Sequence, residues 1–362
     1  MTPESTSSAP LDAVDLQLVT ALQTAPRADW RRIGRAIGVD ASTAARRWDR
    51  LVGSGRAWLS CYPLTLAAGP PVVAVIELDC APGQIPSVVA ELADDPHLIT
   101  MEQVTGGRDL LLTAVFGDLA TLARYAGFRL GTLPGIAATR TQVATAVHVE
   151  GSRWRLERLD TSGREALARP SGSADAPRIG LAAEDEDLVR ELQRDFRQPV
   201  TRLAERTGLS PSTVRRRIAR LEAGGTLVYR CEVARSLSGW PVGVTLWAVA
   251  PPGEVADVAA QLAGARETRL CASLSGAANL MVTIWLRSIG DLPAFEARLG
   301  RQFPRLVVTD RAVTLWPVKL GGHVLDAAGR HLRLVPLALW TDPAADAAES
   351  ALLGRLRLPA PR

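Results

Sequence analysis

The chain has 362 residues, 47% of them hydrophobic and 22% charged, with a formal net charge of +4; this supports two or three packed domains, admits nucleic acid as a partner and excludes a collagen-like or low-complexity protein. No apolar run is long enough to cross a bilayer and the opening MTPESTSSAP lacks a charged-then-apolar leader pattern, so a cytoplasmic protein with a disordered start over residues 1–10 is expected. The four cysteines, Cys61, Cys80, Cys231 and Cys271, show no CxxC spacing and no grouping with histidine, so neither a metal site nor a disulfide framework is expected, and no cofactor is called for.

Residues 11–60 read as a three-helix domain. Val14, Leu18 and Leu22 recur every four residues in the first helix, and 30–37 and 41–52 follow as the second and third. Asp40 can cap the third helix, whose outward positions are Ser42, Thr43, Arg46 and Arg50, with Arg47 on the flank. Gly34 inside the second helix and the small Ala44 at the core anchor predict a weak helix and a weak core. Over residues 61–149 the period changes: strand 71–78, helix 85–92, strands 98–104 and 110–116 around Gly106-Gly107, helix 119–130, strand 136–149. The order βαββαβ predicts a ferredoxin-like antiparallel sheet with both helices on one face, its bare face buried by pairing with a second such domain. Residues 150–180 read as a linker in which Trp154, Leu156 and Leu159 can pack locally.

Residues 181–231 repeat the three-helix pattern more sharply, in the run LAERTGLSPSTVRRRIARL (203–221). Ala204, Gly208 and Val214 suit two short helices crossing at a turn; Ser210 can cap the second helix and Pro211 fits its first position. Val214, Ile218 and Leu221 form one face; Ser212, Thr213, Arg215, Arg216 and Arg220 form the other, with Arg217 on the flank. Hydroxyls and guanidiniums so arranged suit a helix that enters a DNA major groove. Lys319 is the sole lysine, so arginine abundance by itself says little. The local imbalance says more: Arg202, Arg206, Arg215, Arg216, Arg217, Arg220 and Arg230 stand against Glu205 and Glu222. Residues 232–320 then give a second βαββαβ pattern, and 321–362 form a tail with an apolar stretch at 332–340 and a helix at 344–353.

The chain matches itself at an offset of 170. Gly38 answers Gly208, Ser42-Thr43 answers Ser212-Thr213, Arg47 answers Arg217, Cys61 answers Cys231, Gly106 answers Gly276 and Pro134 answers Pro304. The expected fold class is therefore α+β: two winged-helix-like, helix-turn-helix three-helix domains and two ferredoxin-like βαββαβ sandwich domains in tandem, with the matched cysteines in equivalent small apolar sites.

Each unit resembles an Lrp/AsnC-type (feast/famine) transcriptional regulator. The resemblance rests on the order of parts, on GLSPSTVRRRIARLEAGG (208–225) and on the glycine-turn segments TGGRDLLLTAVF (105–116) and SGAANLMVTIWL (275–286), and it covers residues 11–149 and 181–320. It implies a regulator that binds double-stranded DNA, pairs its own two units as a covalent pseudo-dimer, homo-oligomerises further and has no membrane partner. It also implies a small amino-acid-like effector at a G-x-x-D turn: Gly106 and Asp109 match, Gly276 matches, and Asn279 replaces the acid. Asp109 has a second reading as a turn cap. The alternative function is a siroheme-decarboxylase-like enzyme on the same architecture, which needs histidine and arginine beside its pocket. His97, His148, His323 and His331 are the only histidines, and neither His97 nor His148 recurs in the second unit.

Overall fold

A computed structural model describes residues 10–66, 69–168, 180–338 and 343–356; the start of the chain (1–9) and the Pro/Gly/Ser part of the linker lie outside the described residues. Unit 1 comprises α1 (Ala13–Thr24), α2 (Trp30–Ile37), α3 (Ala41–Gly53), β1 (Ala57–Pro63), β2 (Val72–Cys80), α4 (Ile85–Ala93), β3 (Leu98–Val104), β4 (Leu110–Phe116), α5 (Leu119–Arg124), β5 (Ile136–Val149) and α6 (Thr161–Leu167). Unit 2 comprises α7 (Glu186–Arg194), α8 (Val200–Thr207), α9 (Pro211–Ala223), β6 (Leu227–Val233), β7 (Val242–Val249), α10 (Val255–Ala263), β8 (Thr268–Leu274), β9 (Leu280–Leu286), α11 (Leu292–Gln302) and β10 (Val307–Leu320), followed by β11 (His323–Leu325), β12 (His331–Leu334) and α12 (Pro343–Arg355). Among the described residues, no helix is long and apolar enough to cross a membrane.

Local chemistry sets the helix ends. Asp12, Asp29 and Asp40 cap α1, α2 and α3 by accepting from the backbone N–H three residues on, each at 2.7 Å, and Ser210 caps α9 ahead of Pro211. Gly38 and Gly208 close α2 and α8 at φ of 73° and 68°, the left-handed turn from which the third helix crosses the second.

Within each unit the strands follow a ferredoxin-like order, β3-β4-β2-β5 and β8-β9-β7-β10, with α4 and α5 or α10 and α11 on the outer face. The two last strands are 14 residues long and change partner midway. β5 pairs with β2 up to Val143 and with β8 from Ala144; β10 pairs with β7 up to Val313 and with β3 from Thr314. The eight strands therefore close into one barrel. The bare faces that had to be buried meet inside it, and the exchange also removes the open edges that two stacked sheets would keep.

β1 and β6 form a separate antiparallel ribbon, from Ala57 opposite Val233 to Pro63 opposite Leu227. The helical heads are exchanged across it: the core of head 1 includes Cys231 and Val233 of β6, and the core of head 2 includes Cys61 of β1. The matched cysteines do fill equivalent sites, each inside the other unit's head. The linker carries more structure than its composition predicts. Trp154, Leu156, Leu159 and, on α6, Leu167 are buried against head 1. Gln23 clamps this segment by accepting from the Leu156 N–H (2.9 Å) and donating to the Cys231 carbonyl (3.2 Å). In unit 2 the tail takes that place, with Gln193 accepting from the Leu337 N–H at 2.6 Å and donating to the Leu337 carbonyl at 3.2 Å. β11 and β12 extend the sheet beside β10, and α12 is tied near α5 by Arg124 to Asp346 (3.2 Å) and Glu349 (3.3 Å).

Candidate nucleic-acid interface

α3 and α9 are the third helices of the two heads, and each buries one face: Ala44, Trp48 and Leu51 in head 1, Val214, Ile218 and Leu221 in head 2. The two small residues behind the expectation of a weak head 1 are accommodated by the packing around them. Trp48 supplies the bulk Ala44 lacks, and Gly34 is a packing requirement, because a Cβ there would stand 2.6 Å from the Val39 carbonyl. α6 adds a further layer over α2, with Gly163 backed against the Ala36 carbonyl.

On the outer face Ser42, Arg46, Ser212, Arg215 and Arg216 are exposed and Thr43 and Thr213 half-buried. Among the described residues, Arg46, Arg215 and Arg216 have no ion-pair partner. The other four arginines of the expected face are ion-paired to acids of the same chain, although Arg50 and Arg220 stay exposed. Arg47 pairs with Asp12 (2.6 Å) and Asp15 (2.8 Å), and Arg50 with Asp15 (3.0 Å). Arg217 pairs with Asp185 at 3.3 Å, and Arg220 pairs with the same carboxylate. Asp15 and Asp185 occupy matched positions at the first helix of each head and are 2% and 0% exposed. A carboxylate buried so deeply needs cationic partners, so it draws two guanidiniums off the third helix and sets how that helix lies on the first. Reading acids only within the helix-turn-helix run missed them, since both lie one helix earlier.

The helix tips differ. In head 1 the hydroxyls of Ser42 and Thr43 donate to Asp40 at 2.6 and 2.8 Å. The Ser42 hydroxyl bond, then the Thr43 bonds, hold that carboxyl well below its usual range, so a fixed negative charge sits at the tip of α3. In head 2 the tip carries neutral Ser210, within 2.9 Å of the Ser212 and Thr213 hydroxyls. Arg215 also stands where head 1 has Ala45. On the outer face of the third helix, head 2 thus offers two unpaired guanidiniums and a neutral cap, and head 1 offers one and a carboxylate.

The heads also hold each other. Arg27 donates to the Phe196 carbonyl at 2.8 Å, and Arg197 donates to the carbonyls of Pro26 and, at 2.8 Å, Ala28. Positions 26 and 27 match 196 and 197 under the repeat, so the contact is reciprocal. Arg197 also covers the Trp30 ring at 4.2 Å, and Arg27 pairs with Glu222 at 3.1 Å. The two third helices are therefore kept at one separation.

The glycine turns serve the barrel. Thr105 N–H donates to the Val313 carbonyl (2.9 Å) while Val313 N–H donates to the Thr105 hydroxyl (2.9 Å); Ser275 and Val143 repeat the exchange at 2.9 and 3.0 Å. Gly106 (φ 103°) and Gly276 allow this approach, since a Cβ would meet the Arg311 carbonyl at 3.1 Å in one and the Gln142 side chain at 2.5 Å in the other. Asp109 accepts from Cys80 N–H at 2.7 Å, and Asn279 bonds both N–H (3.0 Å) and carbonyl (2.7 Å) of Ala250, the matched position. Asp109 Oδ2 and the Asn279 side-chain amide thus bond backbone 29 residues away in sequence, and not the turns they sit in. The space beside the first turn is taken by Arg108, paired with Glu77 at 3.0 Å and with Asp310, and stacked on Trp247 at 4.3 Å.

Comparison with known proteins agrees with this architecture. The AsnC-type helix-turn-helix domain matches residues 11–52 and 184–222, and the Lrp/AsnC ligand binding domain matches residues 73–154. An uncharacterized HTH-type transcriptional regulator of Pyrococcus horikoshii is 31% identical over 151 residues, 41% of this chain and 92% of that protein. The Bkd operon transcriptional regulator of Pseudomonas aeruginosa is 26% identical over 142 residues, 38% of this chain and 92% of that protein. The crystal structure of the siroheme decarboxylase NirDL covers 96% of this chain and 100% of its own at a TM-score of 0.55 and 12% identity, a likeness of fold. The sequence relatives each span about one unit, and the two matches to the helix-turn-helix domain fall on the two heads. The chain belongs to the Lrp/AsnC family of helix-turn-helix, DNA-binding transcriptional regulators, with the family's helix-turn-helix domain matched twice and its ligand binding domain once in one polypeptide.

Proposed function

We propose that this regulator reads DNA as a single-chain pseudo-dimer whose heads engage unequal half-sites, through Ser42, Thr43 and Arg46 on one side and Ser212, Thr213, Arg215 and Arg216 on the other. The observation that carries this is the set of unpaired guanidiniums on two helices whose heads are docked reciprocally through Arg27 and Arg197. Helices so related meet major-groove faces about 34 Å apart, one turn of DNA, or a multiple of it. Asp40 faces phosphate unfavourably, so head 2 supplies most of the affinity. The reading implies a cytoplasmic protein, and further association of pseudo-dimers is measurable by sedimentation.

The test is selection of bound fragments from genomic DNA by the purified full chain, then a salt titration of the best fragment. Two unequal half-motifs and affinity falling steeply with salt are the expected result. A palindrome protected equally on both halves would overturn the inequality, and sequence-blind binding would overturn the regulator reading.

Siroheme decarboxylation is the second reading, favoured by the whole-length likeness of fold. Such chemistry needs proton delivery at the pocket. Of the four histidines only His148 lines the interior cavity; it lies 2.8 Å from the Ser273 hydroxyl, and burial pushes its pKa down. Release of carbon dioxide from added siroheme would establish this reading.

A further inference from the structure

The barrel interior is only partly filled. Beside the apolar plug formed by Trp247, Ala272, Leu274 and Met281, a cavity of about 770 Å³ lies between the barrel strands and the β1–β6 ribbon. The ribbon contributes Trp58, Tyr62 and Arg230, and the barrel contributes Thr113, Thr283 and Trp285. Exposed Pro70, Val147 and Arg153 mark the rim. Five basic side chains, Arg153, Arg230, Arg235, Arg269 and Lys319, line the cavity against two carboxylates, Glu102 and Glu150.

Most of these charges have partners. Arg230 and Arg269 share Glu232 behind the wall, the latter at 2.9 Å, and Arg269 lies against the rings of Trp285 (4.0 Å) and Trp154 (4.9 Å). Lys319 donates to the Asp95 carbonyl at 2.6 Å, and Glu150 accepts from the Tyr62 hydroxyl and the Ser152 N–H. Arg235 is different. Its side chain is 10% exposed, the nearest carboxylate oxygen, on Glu102, is 4.0 Å away, and its hydrogen bond to the Thr314 carbonyl is 3.5 Å long. Gly243 makes room for it, since a Cβ there would collide with the guanidinium. Burial pushes the Glu102 carboxyl up, toward the neutral form, which weakens the one counter-charge within reach. A guanidinium held in a protein interior calls for an anion.

We propose that this cavity binds an organic anion larger than a single amino acid, with its acidic group on Arg235 and its apolar body against Trp58 and Trp285. The volume fits a ligand of drug-like size, which an amino acid would underfill. The site is also placed to be felt by the heads. Along β1, Trp58 and Tyr62 face the cavity while Leu59 and Cys61 pack into the core of head 2. Along β6, Arg230 faces the cavity while Cys231 packs into head 1. One ribbon therefore separates the ligand from both heads, and occupancy shifts their set; this coupling rests on the regulator reading, whereas the binding does not.

The experiment titrates the full chain with 8-anilinonaphthalene-1-sulfonate, an anionic aromatic probe, and with its uncharged counterpart N-phenyl-1-naphthylamine, in wild type, Arg235→Gln and Thr113→Phe. Saturable binding of the sulfonate, about tenfold or more tighter than the neutral probe and lost by about the same factor in Arg235→Gln, is the expected result. Thr113→Phe fills the cavity and should abolish binding while thermal melting shows a folded chain; it decides the matter if Arg235→Gln fails to fold. Equal binding of both probes, or undiminished binding in the folded variants, overturns the site. DNA affinity is then measured with the probe at saturation. A change of about threefold or more supports the coupling, and unchanged affinity overturns it. Probe binding by a protein that binds no DNA would sink the regulator reading and leave the cavity standing.

Discussion

The two heads share a backbone plan, and they diverge at the surface that meets DNA while agreeing inside. Asp15 with Arg47 and Arg50 in head 1 is the same device as Asp185 with Arg217 and Arg220 in head 2. Outside, Asp40 faces Ser210 and Ala45 faces Arg215 as counterparts. The lesson is that two arginines on the same face of one helix can have opposite duties. Arg216 is unpaired and exposed, whereas Arg220, one turn on, is held by a carboxylate of another helix. Spacing on the helix cannot separate them, because the acid that claims Arg220 comes from outside the motif.

Four measurements would break or sharpen that comparison. The largest effect is expected inside: Asp185→Asn leaves two guanidiniums without their buried partner and should cost about 3 kcal/mol in urea unfolding, with Asp15→Asn similar in head 1. Unchanged midpoints in both would mean the staples are ornamental. Next, Arg215→Ala and Arg216→Ala should each weaken operator binding by roughly 1–3 kcal/mol, and Arg46→Ala by clearly less; equal losses would make the heads equivalent readers. Third, moving the half-sites apart by a base pair should weaken wild type, while an Arg27→Ala/Arg197→Ala double variant, freed of the reciprocal contact, should tolerate the change with about 1 kcal/mol less discrimination. A double variant with wild-type spacing preference would show that the ribbon alone holds the heads. The smallest effect is Asp40→Ser, which should strengthen binding by roughly 0.3–1 kcal/mol, most at low salt. No gain there would place the tip of α3 away from phosphate.

Much of the fold was legible because it is written in short-range spacing. The left-handed glycines Gly38 and Gly208, the caps Asp40 and Ser210, the buried triplet Val214, Ile218 and Leu221, and the repeat itself can all be read within one helix or one offset. The candidate site was legible only in part. The resemblance implies an effector at the turns of Asp109 and Asn279, where Asp109 also reads as a turn cap, and the structure shows Asp109 Oδ2 bonded to Cys80 in β2 and the Asn279 amide to Ala250 just past β7. Gln23 and Gln193 look like ordinary polar helix residues in the sequence, yet each clamps a returning segment.

The sequence by itself determined that there are two units, that each has a three-helix head and a βαββαβ sheet, and which helix in each head is rich in hydroxyls and arginine. Periodicity and capping act over a few residues, so they survive without knowledge of neighbours. Only the tertiary structure decided that β5 and β10 exchange to close one barrel, that four of the arginines are ion-paired to the buried Asp15 and Asp185, and that Arg235 faces an open space under the ribbon. Those outcomes depend on which buried charge and which bare strand edge finds a partner, and the partners lie far apart along the chain, as Arg27 and Phe196 do at a separation of 169 residues.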